Sequence, residues 1–88
     1  MACPNGFSFV EGGVQGDAIS VISTVKNITE CGHLCTASQE CKSFEYCNLN
    51  CQMAIPVGPA ENQCFLNRIE APNTHRLENF TFCTKIGK

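Results

Sequence analysis

The chain has 88 residues, eight of them cysteine, a density that suits a small domain held by disulfides in an oxidising compartment. Six Lys and Arg against eight Asp and Glu leave a net charge of −2, and only 16 % of residues are charged, which excludes the basic footprint of a nucleic-acid or anionic-membrane binder. Length admits one domain, and no apolar run approaches the roughly 20 residues that span a bilayer. With 43 % hydrophobic residues, cysteines included, the core cannot by itself offset the cost of ordering the chain, about 1.5 kcal/mol per residue, so covalent staples are needed.

The start, Met1-Ala2-Cys3-Pro4, has neither the charged nor the apolar region of a secretory signal. Set beside the cysteine content, this reads as a single module, residues 1–88, excised from a longer secreted multi-module protein, with Met1 an added start residue. The first element is a short strand over Gly6–Val10, with Phe7 and Phe9 on one face. Gly12, Gly13 and Gly16 then punctuate a turn. Asp17 to Val25 reads as a second strand with Ile19, Val21, Ser23 and Val25 on one side and Ile22 opposite.

At Asn27 the period changes. Asn27 can cap a helix, with Glu30 three residues on reaching back as in a capping box. Ile28, Cys31, Cys35 and Ser38 then fall on one helical face, although Gly32 costs about 1 kcal/mol relative to Ala inside a helix. Lys42 to Tyr46 alternates as a strand, Phe44 and Tyr46 against Ser43 and Glu45, and Asn48-Leu49-Asn50 turns between Cys47 and Cys51. Met53 to Asn62, with Pro56 and Pro59, reads as a surface loop, because two prolines remove ladder donors. Gln63–Asn67 and Phe80–Thr84 are the last strands, separated by a polar stretch around Pro72-Asn73-Thr74. Two sequons, Asn27-Ile28-Thr29 and Asn79-Phe80-Thr81, are N-glycosylation acceptors in a glycosylating compartment; Asn27 also has the simpler role of helix cap.

Eight cysteines permit 105 pairings, so spacing must prune them. Cys31 and Cys35 stand one helical turn apart, with Cβ atoms about 5 to 6 Å apart where a disulfide needs about 3.8 Å, so each should reach a different partner. The frame Cys31-x3-Cys35-x5-Cys41, the aromatic strand Ser43-Phe44-Glu45-Tyr46, the strand Cys64-Phe65-Leu66 and the flanking Cys3 and Cys83 resemble the PAN/apple domain family along nearly the whole chain. That resemblance implies an α+β fold, one helix packed on a curved antiparallel sheet, with Cys31 paired to Cys64, Cys35 to Cys41 and Cys3 to Cys83. Cys47 and Cys51 depart from the six-cysteine frame and are close enough in sequence to form a fourth, local bridge.

Clustered cysteines also suggest zinc, but no second histidine-bearing knuckle lies at the right interval, so neither a metal nor a cofactor is expected. An even set of pairable cysteines leaves no nucleophilic thiol, no hydrolase, zincin or P-loop pattern occurs, and Glu61, Glu70 and Glu78 read as solvated surface, so catalysis is not expected. Binding remains. The resemblance implies contacts with proteins or carbohydrates on a cell or partner surface, in the setting of the microneme adhesins of apicomplexan parasites, with neighbouring modules of the same chain and in a secreted or secretory-organelle location. Alternatives are a structural spacer in a tandem array, an apple module of a coagulation-type protease, and a free-standing toxin or inhibitor. Contact candidates are loop residues on a rigid frame: Met53, Pro56, Arg68, Asn73, His75 and Arg76. His33, inside the helix, reads as a polar-face residue.

Overall fold

The computed structural model describes residues 3–14, 18–47, 62–74 and 80–86. The alternating segments become five strands, β1 (Phe7–Phe9), β2 (Ile19–Thr24), β3 (Ser43–Cys47), β4 (Gln63–Asn67) and β5 (Phe80–Lys85), and the segment after Asn27 becomes the helix α1 (Ile28–Ala37). The strands form one sheet in the order β1-β5-β3-β4-β2, every neighbouring pair antiparallel. This is the α+β arrangement of one helix on an antiparallel sheet.

The helix starts where its capping residues dictate. The Asn27 side chain accepts a hydrogen bond from the Glu30 N–H at 2.9 Å, which satisfies one of the donors left over in the first turn. Glu30 reaches back as expected of a capping box, but to the Lys26 N–H at 2.6 Å rather than to that of Asn27. At the other end Lys85 donates from Nζ to the Ser38 carbonyl at 3.2 Å, placing a cation where the helix dipole is negative. The buried stripe is Cys31, Gly32 and Cys35. Gly32 has a steric reason for being in a helix, since a Cβ there would stand 2.8 Å from Pro4 Cγ.

Beneath the helix lies the main core. Phe44 and Tyr46 of β3, Cys64 and Leu66 of β4 and Cys83 of β5 share the helix-facing side with Phe7, and the Phe7 and Phe44 rings meet edge to face with centroids 4.9 Å apart. Three disulfides tie this layer together: Cys31 to Cys64 and Cys35 to Cys41 hold the two ends of the helical stripe, and Cys3 to Cys83 holds the N-terminal segment to β5. These are the pairs that the resemblance implies. Cys47 is also disulfide-bonded; its expected partner, Cys51, and most of the Met53–Asn62 loop lie outside the described residues.

Two strand readings change. Phe7 and Phe9 do share a face, yet Phe7 is buried and Phe9 is 48 % exposed. The reason is reach: the helix and Pro4 cover Phe7, next to Gly32, and the cover ends there. In β2 the register shifts between Ile19 and Val21, so Ile19 pairs with Asn67 and Val21 with Leu66, which point to opposite faces. Ile19 therefore leaves the side expected from simple alternation and packs against Phe65, Phe80 and Cys47 on the far face.

Candidate binding site

The N-terminal segment and α1 together build a groove. Cys3 is pinned to Cys83, and the chain then turns back at Pro4, whose carbonyl accepts from the Phe7 N–H at 3.1 Å, with Gly6 at a φ of 91° that L residues rarely adopt. Because Gly32 lacks a side chain, Pro4 settles directly on the helix. Between this turn and the helix is a cavity of about 330 Å³, walled by Pro4, Asn5 and Phe7 on one side and by Thr29, His33 and Thr36 on the other. Positions 29, 33 and 36 fall on one helical stripe, so three polar groups project into the same space.

Chemically, the groove combines hydroxyls, an amide and an imidazole with the apolar surfaces of Pro4 and Phe7, and its lining includes no Asp, Glu, Lys or Arg. Such walls suit an uncharged ligand rich in hydroxyl groups, because each hydroxyl both donates and accepts and the ligand's apolar patches meet proline and aromatic surface. The volume is at the lower end of small-molecule sites, room for one small ring rather than an extended chain. In the sequence His33 reads as a polar-face residue, and no local pattern marks Asn5, Thr29 or Thr36 as contacts. The 29–33–36 spacing was visible, but nothing local shows that residues 3–7 fold back over it.

The contact candidates expected from the sequence fall elsewhere. Arg68 follows β4, is exposed, donates its backbone N–H to Ala18 at 2.8 Å, and stands with Nε 3.9 Å from the Glu40 carboxylate, itself exposed. Asn73 is exposed and donates its backbone N–H to the Gly13 carbonyl at 3.0 Å, beside the bridge that pairs Gly13 with Thr74. Met53, Pro56, His75 and Arg76 lie outside the described residues. Neither Arg68 nor Asn73 lines the groove.

A polar site that alternation did not reveal lies on the sheet face away from the helix. Alternation sets Ser43 and Glu45 opposite the aromatic face of β3, and both are enclosed there: Ser43 is fully buried and Glu45 is 1 % exposed. The Ser43 hydroxyl donates to the Ile69 carbonyl at 2.6 Å and accepts from Asn67 Nδ2 at 3.3 Å. Glu45 Oε1 accepts from the Val14 N–H at 3.3 Å, while among the described residues Oε2 has no hydrogen-bond partner. Burial pushes the carboxyl up to about 8, only partly opposed by the Val14 N–H, so Glu45 is protonated at neutral pH. It therefore acts as a neutral internal peg under the 10–14 segment. Among the described residues no group of three or more His, Cys, Asp or Glu is placed to hold a metal ion, and no helix is long and apolar enough to cross a membrane.

A helix stapled to both an antiparallel sheet and its own flank, with an uncharged groove on the helix's outer side, defines a small disulfide-held binding module. The chain matches the PAN domain over residues 6–86 and belongs to that family, whose members bind proteins or carbohydrates. No curated protein and no solved structure matches it. The disulfides and the family together fit an extracellular or otherwise oxidising compartment.

Proposed function

We propose that this PAN domain is an adhesion module of a secreted, multi-module protein, and that it recognises a neutral sugar on a cell or partner surface through the groove between residues 3–7 and α1. The observation that carries this reading is the composition of that groove: hydroxyl, amide and imidazole groups beside proline and aromatic surface, with no charged side chain. One small groove yields weak affinity. Repetition of such modules in a parent chain would raise avidity, the arrangement of the apicomplexan microneme adhesins in which modules of this family occur. Arg68 and Asn73, exposed on the same rigid frame, would then contribute secondary contacts.

Single and tandem copies tested on glycan arrays and in cell-binding assays check the reading. Tandem copies should retain a neutral glycan at least tenfold better than single copies, and His33→Ala with Thr36→Ala should abolish retention while leaving the far-ultraviolet circular dichroism unchanged. If folded tandem copies bind no glycan and no cell, the module is a spacer that sets reach in its parent. If binding survives the double substitution but is lost with Arg68→Ala and Asn73→Ala, the site is the loop end and not the groove.

A further inference from the structure

We infer that Asn27 is an N-glycosylation site whose modification the finished fold accommodates without loss of the helix cap. The triplet Asn27-Ile28-Thr29 supplies the acceptor pattern, and the structure shows how its two uses coexist. Asn27 is exposed with an extended backbone, φ −164° and ψ 177°, and Thr29 beside it is also exposed. Capping uses only the carbonyl oxygen: Oδ1 accepts from the Glu30 N–H, and among the described residues Nδ2 makes no hydrogen bond.

Glycosylation uses the other end of the same amide. With a lipid-diphosphate-linked oligosaccharide as donor, Nδ2 forms the new bond to the anomeric carbon. The bond from that carbon to the diphosphate oxygen breaks, the lipid diphosphate leaves with the electron pair, and Nδ2 gives up one proton. The side chain remains an amide, so Oδ1 keeps its lone pairs and the bond to Glu30 persists. Any secretory route that forms the disulfides of this fold and carries the transfer machinery would meet this site before and after folding.

The second sequon differs. Phe80 and Thr81 are buried in β5, paired with Cys47 and Tyr46 of the central strand, so the hydroxyl that the transfer machinery must read is enclosed once β5 docks. Its use has to precede sheet formation, whereas Asn27 stays at the surface throughout.

The chain secreted from a eukaryotic cell line provides the test. Peptide mapping after amidase treatment, which leaves an aspartate wherever an asparagine carried a glycan, should find the mark at position 27 in most of the folded, fully disulfide-bonded protein. Thr29→Ala should remove that mark, and the Glu30 amide should exchange with solvent equally slowly in the glycosylated protein and in this variant. Slowing oxidation with a mild reductant should raise occupancy at position 79 and leave position 27 unchanged. A folded protein unmarked at position 27, or a glycosylated one whose Glu30 amide exchanges freely, would overturn the inference.

Discussion

The two faces of the sheet are built on different principles. The helix side holds Phe7, Phe44, Tyr46 and Leu66 closed by sulfur, with two disulfides rooted in α1. The reverse side has a smaller apolar cluster, Phe65, Phe80 and Cys47, and next to it a buried polar group of Ser43, Glu45 and Asn67 under the segments near Val14 and Ile69. One face is held by covalent closure and aromatic packing, neither of which responds to mild changes of pH. The other also has a disulfide-bonded cysteine, Cys47, and an edge-to-face pair of Phe65 and Phe80, but beside them it depends on hydrogen bonds and on a carboxyl that stays neutral. The helix side should therefore set how stable the module is, and the reverse side how that stability varies with conditions.

The largest effect that would break this contrast is expected at the helix side. Loop closure assigns about 3.7 kcal/mol to Cys31–Cys64 and about 2 kcal/mol to Cys35–Cys41, so Cys31→Ser with Cys64→Ser should lower the unfolding free energy in guanidinium well below that of Cys35→Ser with Cys41→Ser. Phe44→Ala should cost about 3–5 kcal/mol on the same scale, through the cavity it opens against Phe7. Equal losses for the two cysteine pairs would mean that the short bridge also holds core packing.

The reverse face is sharpened by titration. In the folded protein Glu45 ionises near 8, and in the unfolded chain near the ordinary 4.5, so between these values the folded state holds the extra proton. Stability should then fall as pH rises from about 4.5 to about 8 and level off above, a loss that Glu45→Gln removes. Urea unfolding of both proteins from acid to mildly alkaline pH checks the sign; a wild type that gains stability across this window would mean that the carboxyl is ionised inside the fold. The smallest effects are at the surface. Asn27→Ala should cost about 1 kcal/mol through the lost cap, and Asn27→Asp much less, because its carboxylate still accepts from Glu30. Arg68→Ala should change stability by less than about 0.5 kcal/mol, as its partner Glu40 is an exposed carboxylate at 3.9 Å.

How much of this the sequence reveals depends on the range of the interaction. The Asn27 cap, the helical stripe of Cys31 and Cys35 and the strand residues of β3, β4 and β5 are written in local spacing, and the structure forms all of them. The bridge partners are long-range and came from the resemblance, because spacing alone only forbids Cys31 to Cys35. Burial of Glu45 was hidden for a similar reason. Alternation marks a polar residue as outward, but a central strand under two returning segments has no outward side, and Val14 is 31 residues away. The groove was hidden as well: Gly32 signals only a weak helix position until Pro4 is seen packed on it.

The bridge from Cys3 to Cys83 has a mechanical consequence. Its two Cα atoms are 5.9 Å apart although 80 positions separate them along the chain. Tension applied from outside across these two residues runs through a single sulfur–sulfur bond and bypasses every strand of the sheet. Roughly 270 Å of contour is thereby withheld from stretching. Under load the fold behaves as a fixed bead on its tether until that bond is reduced, and even then the stretch between Cys31 and Cys64 stays closed off by its own bridge.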